Sequence, residues 1–389
     1  MKKPKLIRVT TVPLSLDKLL EGQLKYMNQF YDVLVVSTSH DGYLQRVAER
    51  EGVRFHPINL TRAITPVQDF KSLIAMIRLF RLEKPDIVHS HTPKAGTVAM
   101  LAAKIAGVPV RMHTVAGLPL MESTGRKREL LDIVEKITYS AAHTVLPNST
   151  GLRNIILSLG FTENKKLQVL GNGSTNGINT EYFSREHFSA EEIEQRRRDL
   201  GIGAEDLAFV FVGRLVGDKG INELVEAFNL LAELFDNVHL ILVGPLEQEL
   251  DPLLPETLEV MQSHPRIHSV GYQADVRPFL AASDALVFPS YREGFPNVVM
   301  QAGAMDLPAI VTDINGCNEI IETNENGVII PPKSMMSLKK AMRLLVEQPE
   351  LRKHLAQNAR NMITERYSQQ KVWEYIHQAY ETALKSKAS

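Results

Sequence analysis

Two short segments place charged side chains where an apolar run hands over to a helical pattern. The first reads Phe211-Val212-Gly213-Arg214-Leu215, then Asp218-Lys219-Gly220. The apolar run ends at Val212, glycine lets the chain turn, and two cations precede a helix expected from Ile221. Cations beside a helix N-terminus suit a diphosphate, because backbone N–H groups and side-chain charge act on the same oxygens. The same residues also fit a plain loop with two solvent-facing bases. The second segment runs Pro289-Ser290-Tyr291-Arg292-Glu293-Gly294-Phe295-Pro296-Asn297 and continues through Gln301 to Met305. Glu293 can accept hydrogen bonds from sugar hydroxyls, and the amides of a helix opening near Pro296 favour an anionic group. Gln301 offers a donor and an acceptor to vicinal hydroxyls. The other reading is a turn in which Glu293 complements the helix dipole and Gly303 allows close packing.

Histidines mark two further segments. In Asp86-Ile87-Val88-His89-Ser90-His91-Thr92-Pro93-Lys94-Ala95-Gly96 the two histidines fall on one face of a strand. With no third ligand nearby, a metal pair is disfavoured. His89 reads as packed structure, while His91 and Lys94 read as exposed candidates. In Val110-Arg111-Met112-His113-Thr114-Val115-Ala116-Gly117, His113 is either a site residue or part of the core.

Strands must carry these segments. In the first half short β-rich runs are expected at 6–12, 32–38, 86–89, 110–114, 143–146 and 167–170. Helices are expected at 17–30, 43–52, 67–83 and 95–106. A loop, Gly171-Asn172-Gly173-Ser174-Thr175-Asn176-Gly177, then breaks the pattern. A second series of strands begins at 208–212 and ends at 327–330, with helices in the gaps and at 337–346, 351–367 and 370–385. Strands alternating with helices imply right-handed crossovers and a parallel sheet covered on both faces. The fold class is therefore α/β, with two doubly wound, Rossmann-like domains. The expected boundaries are 1–172 and 173–369, a hinge near 171–180, and a C-terminal helix 370–389 completing the first domain. Ligands of such sheets bind at the carboxyl ends of strands, and two domains facing one another would make a cleft.

Composition narrows the class. The chain has 389 residues, 44% hydrophobic and 23% charged, with 44 Lys and Arg against 45 Asp and Glu. Net charge −1 gives no global field for nucleic acid. Cys317 is the single cysteine, which excludes an intramolecular disulfide and a cysteine-cluster metal site and fits a reducing compartment. The start, Met1-Lys2-Lys3-Pro4, is basic, but Arg8, Pro13 and Asp17 interrupt any signal-peptide core. No apolar run is long enough to span a bilayer, so a cytoplasmic protein is expected.

Taken together, Gly213-Arg214-Leu215…Lys219-Gly220 and Glu293-Gly294-Phe295…Gln301 resemble the retaining GT-B glycosyltransferases of family 4. Gly271-Tyr272…Ala282-Ser283-Asp284-Ala285…Pro289-Ser290 and Leu170-Gly171-Asn172-Gly173-Ser174…Asn176-Gly177-Ile178-Asn179…Phe183 extend the resemblance over nearly the whole chain. It is greatest to the subset that builds capsular and O-antigen polysaccharides. The resemblance implies transfer of a sugar from a nucleotide-diphosphate donor, UDP before GDP, to a glycan or lipid-linked saccharide. Arg214 and Lys219 would grip the diphosphate and Glu293 would contact the sugar. Gly213, Gly294, Phe295, Pro296 and Asn297 would line the donor loops, Gly271 and Tyr272 would lie beside the base, and Gln301 would meet the ribose. Relatives usually carry a carboxylate at the position of Gln301 and a histidine at that of Ala116, which leaves His113 as the catalytic histidine candidate. Gly22 stands at the family's first glycine loop, and His91 and Lys94 at its acceptor side.

No Asp-x-Asp occurs in the chain, and no metal or other cofactor is expected. Peripheral contact with the inner membrane surface is expected through Arg126-Lys127-Arg128 beside Leu118, Leu120, Leu130, Leu131 and Ile133. The alternative for that segment is a charged helix start whose apolar face is core. The C-terminal stripe Val372, Trp373, Ile376, Tyr380 and Leu384 reads as core. Two rival functions remain open: a nucleotide-sugar 2-epimerase of the same fold, and a non-catalytic sugar-nucleotide-binding protein.

Overall fold

Runs such as Asp32-Val33-Leu34-Val35-Val36-Ser37, buried on both faces, can satisfy their backbone and side chains only inside a covered parallel sheet. The computed structural model describes residues 3–388 apart from 40, 64 and 250. Met1 and Lys2 of the basic start lie outside the described residues. The chain divides into two compact units, one ending at Gly177 and resuming at Gln369, the other Ile178–Ser368. The first break falls at Gly177 instead of 172. The two crossings run side by side within the second unit, where Ile178 N–H donates to the Tyr367 carbonyl at 2.8 Å.

The first unit holds β1 Lys5–Val9, β2 Asp32–Ser37, β3 Arg54–Pro57, β4 Ile87–His91, β5 Val110–Val115 and β6 Thr144–Pro147. They form one parallel sheet in the order β3-β2-β1-β4-β5-β6. The second holds β7 Leu207–Val212, β8 Val238–Val243, β9 Ile267–Gly271, β10 Ala285–Phe288, β11 Ala309–Thr312 and β12 Gly327–Ile330. Their order, β12-β11-β10-β7-β8-β9, repeats the same topology. In each sheet the chain winds outward one way, then returns to the centre and winds outward the other way. A crevice therefore opens between β1 and β4, and another between β7 and β10.

Three expectations need correction. The helix expected at 17–30 is two helices, Pro13–Leu19 and Gln23–Met27. They are broken at Gly22, which has φ of 76° and where a Cβ would lie 2.8 Å from the Trp373 ring, leaving no room for a side chain. The strand expected at 167–170 reduces to a single bridge from Leu167 to Val145. The edge strand β3 went unread because all four of its residues are exposed, so it carries no apolar alternation. The terminal stripe does pack: Val372, Ile376 and Tyr380 are buried with Leu6, Leu16, Leu20 and Leu24.

That packing surrounds a polar core. Arg8 is fully buried, and its guanidinium donates to Tyr380 Oη at 2.7 Å, Gln23 Oε1 at 2.5 Å and His91 Nε2 at 2.7 Å. Arginine can only donate, so His91 Nε2 accepts and the imidazole proton sits on Nδ1. Gln23 Nε2 passes the chain on to the Thr175 carbonyl and to Asn176 Oδ1, which also accepts from Trp373 Nε1 at 2.7 Å. His89 touches Tyr380 Oη and Thr114 Oγ1 at 2.5 and 2.7 Å.

Gly220 performs the matching service in the second unit. It has φ of 72°, and a Cβ there would lie 2.3 Å from the Pro289 carbonyl oxygen. Only glycine lets the helix Ile221–Ala232 start this close to the end of β10. Gly220→Ala should cost about 2–4 kcal/mol from clash and backbone strain, read as a lowered urea midpoint.

A second expectation concerns acid. Burial holds the imidazoles of His89 and His91 well below the ordinary histidine range and His113 down at about 4. Unfolding frees them to protonate, so their stabilising contribution is complete above pH 6.5 and drains away as pH falls toward 4. Thermal midpoints should fall between pH 6.5 and 5, and less steeply in His113→Gln; equal slopes would contradict the argument.

Candidate active site

The crevice between β7 and β10 collects Arg214, Lys219 and Glu293, singled out in the sequence. After Val212 the chain passes Gly213, Arg214 and the turn Gly217–Lys219 before the helix Ile221–Ala232. Facing it, β10 delivers Pro289 and the loop that carries Glu293. Tyr291 N–H donates to the Asp218 carbonyl at 2.9 Å and fastens the two loops together. Lys219 Nζ then meets Glu293 Oε1 at 2.5 Å, and Ser290 Oγ donates to the same oxygen at 3.0 Å. The loop is also held from β11. Thr312 Oγ1 donates to the Ser290 carbonyl, and Asn315 Nδ2 to the carbonyls of Glu293 and Gly294 at 3.2 and 2.7 Å. The carboxylate therefore sits on a backbone fixed on two sides.

The other cations have carboxylate partners as well. Arg214 Nη1 donates to Glu247 Oε2 at 3.0 Å, and Arg292 Nη2 to Asp218 Oδ2 at 2.9 Å. Tyr291 Oη donates to Glu223 Oε1 at 2.5 Å, and burial and that carboxylate push its phenol up. Cys317 is buried nearby, where burial, and then the Glu293 charge, raise its thiol well above the ordinary value. A neutral thiol there is a packing group, with no nucleophilic character. Gly271 and the exposed Tyr272 end β9, at the far side of the sheet from β12. Phe295 turns its ring onto Tyr367, with centroids 5.4 Å apart. Asn297 opens the helix Asn297–Ala304, with Pro296 before it and Gln301 half-buried along it.

Glu247, Asn315 and Asp218 were not singled out from sequence. The only signal for Glu247 was Gly244-Pro245 directly after an apolar run. Asn315 and Asp218 act through partners on other loops, which spacing does not reveal.

In the first unit the crevice between β1 and β4 has another character. Thr92 follows β4 with φ of 70° and ψ of 145°, a conformation costing a β-branched residue about 1–3 kcal/mol. Its Oγ1 lies 2.8 Å from Thr11 Oγ1 and accepts from Thr11 N–H, while Thr11 Oγ1 accepts from Ala95 N–H. This lattice holds the start of the helix Pro93–Ile105 against the end of β1. His91 and Lys94, expected to be exposed, are not: His91 is buried against Arg8, and Lys94 Nζ is paired with Asp69 at 2.5 Å. His113 is likewise enclosed. Its Nδ1 lies 2.9 Å from Ser90 Oγ, and its ring fills the space beside Gly96. That enclosure is what the core reading of His113 expects, while Ala116 lies exposed beyond β5. Gly22 lies against Trp373, and its N–H donates to Glu51 Oε1 at 3.2 Å.

Among the described residues, no group of three or more His, Cys, Asp or Glu is arranged to hold a metal, and no helix is long and apolar enough to cross a membrane.

Known proteins match along the chain. Residues 192–362 match the family model of the Glycosyl transferases group 1, and residues 23–173 that of the Glycosyl transferase 4-like domain. The capsular polysaccharide biosynthesis glycosyltransferase CapM of Staphylococcus aureus is 32% identical over 386 residues, 99% of each chain. The UDP-Gal:alpha-D-GlcNAc-diphosphoundecaprenol alpha-1,3-galactosyltransferase of Escherichia coli is 30% identical over 78% of this chain and 77% of its own. Among solved structures, Anabaena HepE in complex with UDP superposes with a TM-score of 0.79 at 18% identity, covering 98% of this chain and all of that one. A relative this similar end to end, with two family models covering most of both sheets, places the chain in family 4 of the retaining GT-B glycosyltransferases.

Proposed function

We propose that the second unit binds a nucleotide-diphosphate sugar, a UDP-sugar before a GDP-sugar, and that the acceptor is a lipid-linked saccharide in surface-polysaccharide assembly. The observation that carries this reading is the Lys219–Glu293 pair in the crevice between β7 and β10, with Arg214 on the adjoining loop. It puts cations for phosphate oxygens next to a carboxylate for sugar hydroxyls. The named relatives support the substrate classes, since one is named for a UDP-Gal donor and a diphosphoundecaprenol acceptor and a solved neighbour holds UDP.

In the step proposed, the bond from the sugar C1 to the departing phosphate oxygen breaks. A new bond from C1 to the acceptor oxygen forms on the same face. The acceptor proton passes to the leaving phosphate oxygen. Negative charge grows on the diphosphate as the bond breaks, so Arg214 and Lys219 stabilise the transition state more than the bound donor. Glu293 orients the sugar, and no metal is assigned a part. The epimerase alternative finds no support among the relatives described above.

Contact with a membrane is the second part of the proposal, and the helix Gly125–Ala141 supports it. Leu118 and Leu120, expected in the patch, are buried. The exposed apolar residues are instead Met121, Leu130, Ile133 and Ile137, the last three on one helix face. Arg126, Lys127 and Lys136 are exposed on the same helix, and apolar plus basic residues suit an anionic lipid surface.

Arg214→Ala/Lys219→Ala should lower kcat/KM at least about 10³-fold with an unchanged circular dichroism spectrum and melting point, and EDTA should leave the wild-type rate unaltered. Near-full activity of the double variant would refute the phosphate role. Ile133→Glu with Leu130→Glu should abolish co-sedimentation with phosphatidylglycerol vesicles and spare transfer to a soluble acceptor analogue. Undiminished sedimentation would remove this helix as the contact.

A further inference from the structure

Among the described residues, three ion pairs lie at the ends of β7, β8 and β10. Lys219 meets Glu293 at 2.5 Å, Arg292 meets Asp218 at 2.9 Å, and Arg214 meets Glu247 at 3.0 Å. The charges of these pairs cancel. A diphosphate that engages Lys219, Arg292 or Arg214 draws it from a carboxylate that already holds it.

The pairs do not yield equally. The Lys219 and Glu293 side chains are 16% and 17% exposed, and Glu293 is further held by Ser290. Arg292 is 49% exposed, but Asp218 is only 20% exposed, and its backbone carbonyl is fastened by Tyr291 N–H. The Arg214 and Glu247 side chains are 42% and 32% exposed and joined through a single nitrogen. A wet pair of this kind is weak, because water screens both charges.

The backbones beneath Arg214 and Glu247 are nonetheless locked. Gly213 N–H donates to the Val243 carbonyl at 2.9 Å and Leu215 N–H to the Pro245 carbonyl at 2.8 Å, and Leu215 bridges Leu246. The two side chains can part while their loops stay in register. Arg214 thus has a standing partner that a phosphate, with its better match to the planar guanidinium, displaces.

We propose that Glu247 sets donor affinity by competing for Arg214. It occupies the guanidinium in the empty site, gives way to the diphosphate, and reclaims Arg214 as the nucleoside diphosphate departs. The competition acts harder on product retention than on donor entry. Once the proton taken from the acceptor is lost to solvent, the freed diphosphate carries one more negative charge than the donor did, which would otherwise tighten its hold on the site. The proposal rests on the donor-site reading above and adds a residue to it.

The test is calorimetric titration of UDP, and separately of GDP, into wild type, Glu247→Gln, Glu247→Ala, Arg214→Ala and Arg214→Ala/Glu247→Gln. Both Glu247 variants should bind the preferred nucleotide about five-fold tighter than wild type. Arg214→Ala should bind it at least about ten-fold more weakly, and adding Glu247→Gln to it should recover nothing. In steady state Glu247→Gln should lower KM and kcat together. Unchanged or weaker binding by both Glu247 variants, beside the loss in Arg214→Ala, would overturn the competition and leave the donor site standing. Wild-type affinity in Arg214→Ala, or no heat from wild type with either nucleotide, would overturn both.

Discussion

A dry guanidinium organises the first unit. Arg8 is fully buried, yet its partners Tyr380, Gln23 and His91 are neutral. Removing such a charge from water costs several kcal/mol, tolerable only when fixed dipoles replace the hydration shell. The replacements come from far apart in the chain: the second helix after β1, the carboxyl end of β4, and the C-terminal helix 372 positions away. Gln23 extends the chain of bonds to Thr175 and Asn176, where the polypeptide leaves for the second unit. A deletion of the terminal helix would therefore strip a hydrogen-bond partner from a buried cation as well as expose apolar surface. The first unit is completed only once the second has been synthesised, because Tyr380 and Trp373 follow it in sequence.

The second unit places its charges differently. Its cations sit in pairs with carboxylates at the strand ends, graded from the enclosed Lys219–Glu293 to the wet Arg214–Glu247. Such pairs contribute little to stability where water reaches them. What they supply is readiness: side chains held close to useful positions by partners weak enough to release them. Glu293 is the exception, because Ser290 holds its carboxylate from within the loop while Thr312 of β11 and Asn315 beyond it fix the loop's backbone. On the function proposed above, a group that orients a sugar would need that rigidity more than one that follows a moving phosphate.

Much of this was legible beforehand, and the failures have physical causes. The strands β1, β2, β4 and β5 and nearly the whole second series announced themselves as apolar runs, because parallel strands are buried on both faces. β3 did not, since an exposed edge strand carries no such signal. The loops bearing Arg214, Lys219 and Glu293 could be placed at strand ends from glycine and charge alone. Their actual partners could not. Glu247 acquires meaning only because β8 lies beside β7, and strand order is not written in local spacing. His91 and Lys94 were misjudged for a related reason. Alternation along β4 tells which face His91 takes, and the following helix start places Lys94, but how deep each lies depends on Arg8 and Asp69, which arrive from other elements.

The two crevices share one topology and differ in the chemistry of their rims, and that difference argues for a division of labour. The β1–β4 rim is built from hydroxyls, Thr11 and Thr92, over histidines that burial keeps neutral, with a strained backbone at Thr92 held by its neighbours. Such a rim offers directional hydrogen bonds and little charge to outside groups, because the guanidinium beneath it is occupied by its own network. The β7–β10 rim offers exchangeable ion pairs and a pinned carboxylate. On the function proposed above, a polyhydroxyl acceptor with no formal charge at its reacting end would suit the former, and a diphosphate the latter. If both rims carried free cations, each would attract the nucleotide, and the donor would occupy two places at once. Burying Arg8 behind neutral dipoles leaves the β7–β10 crevice as the better of the two for a diphosphate.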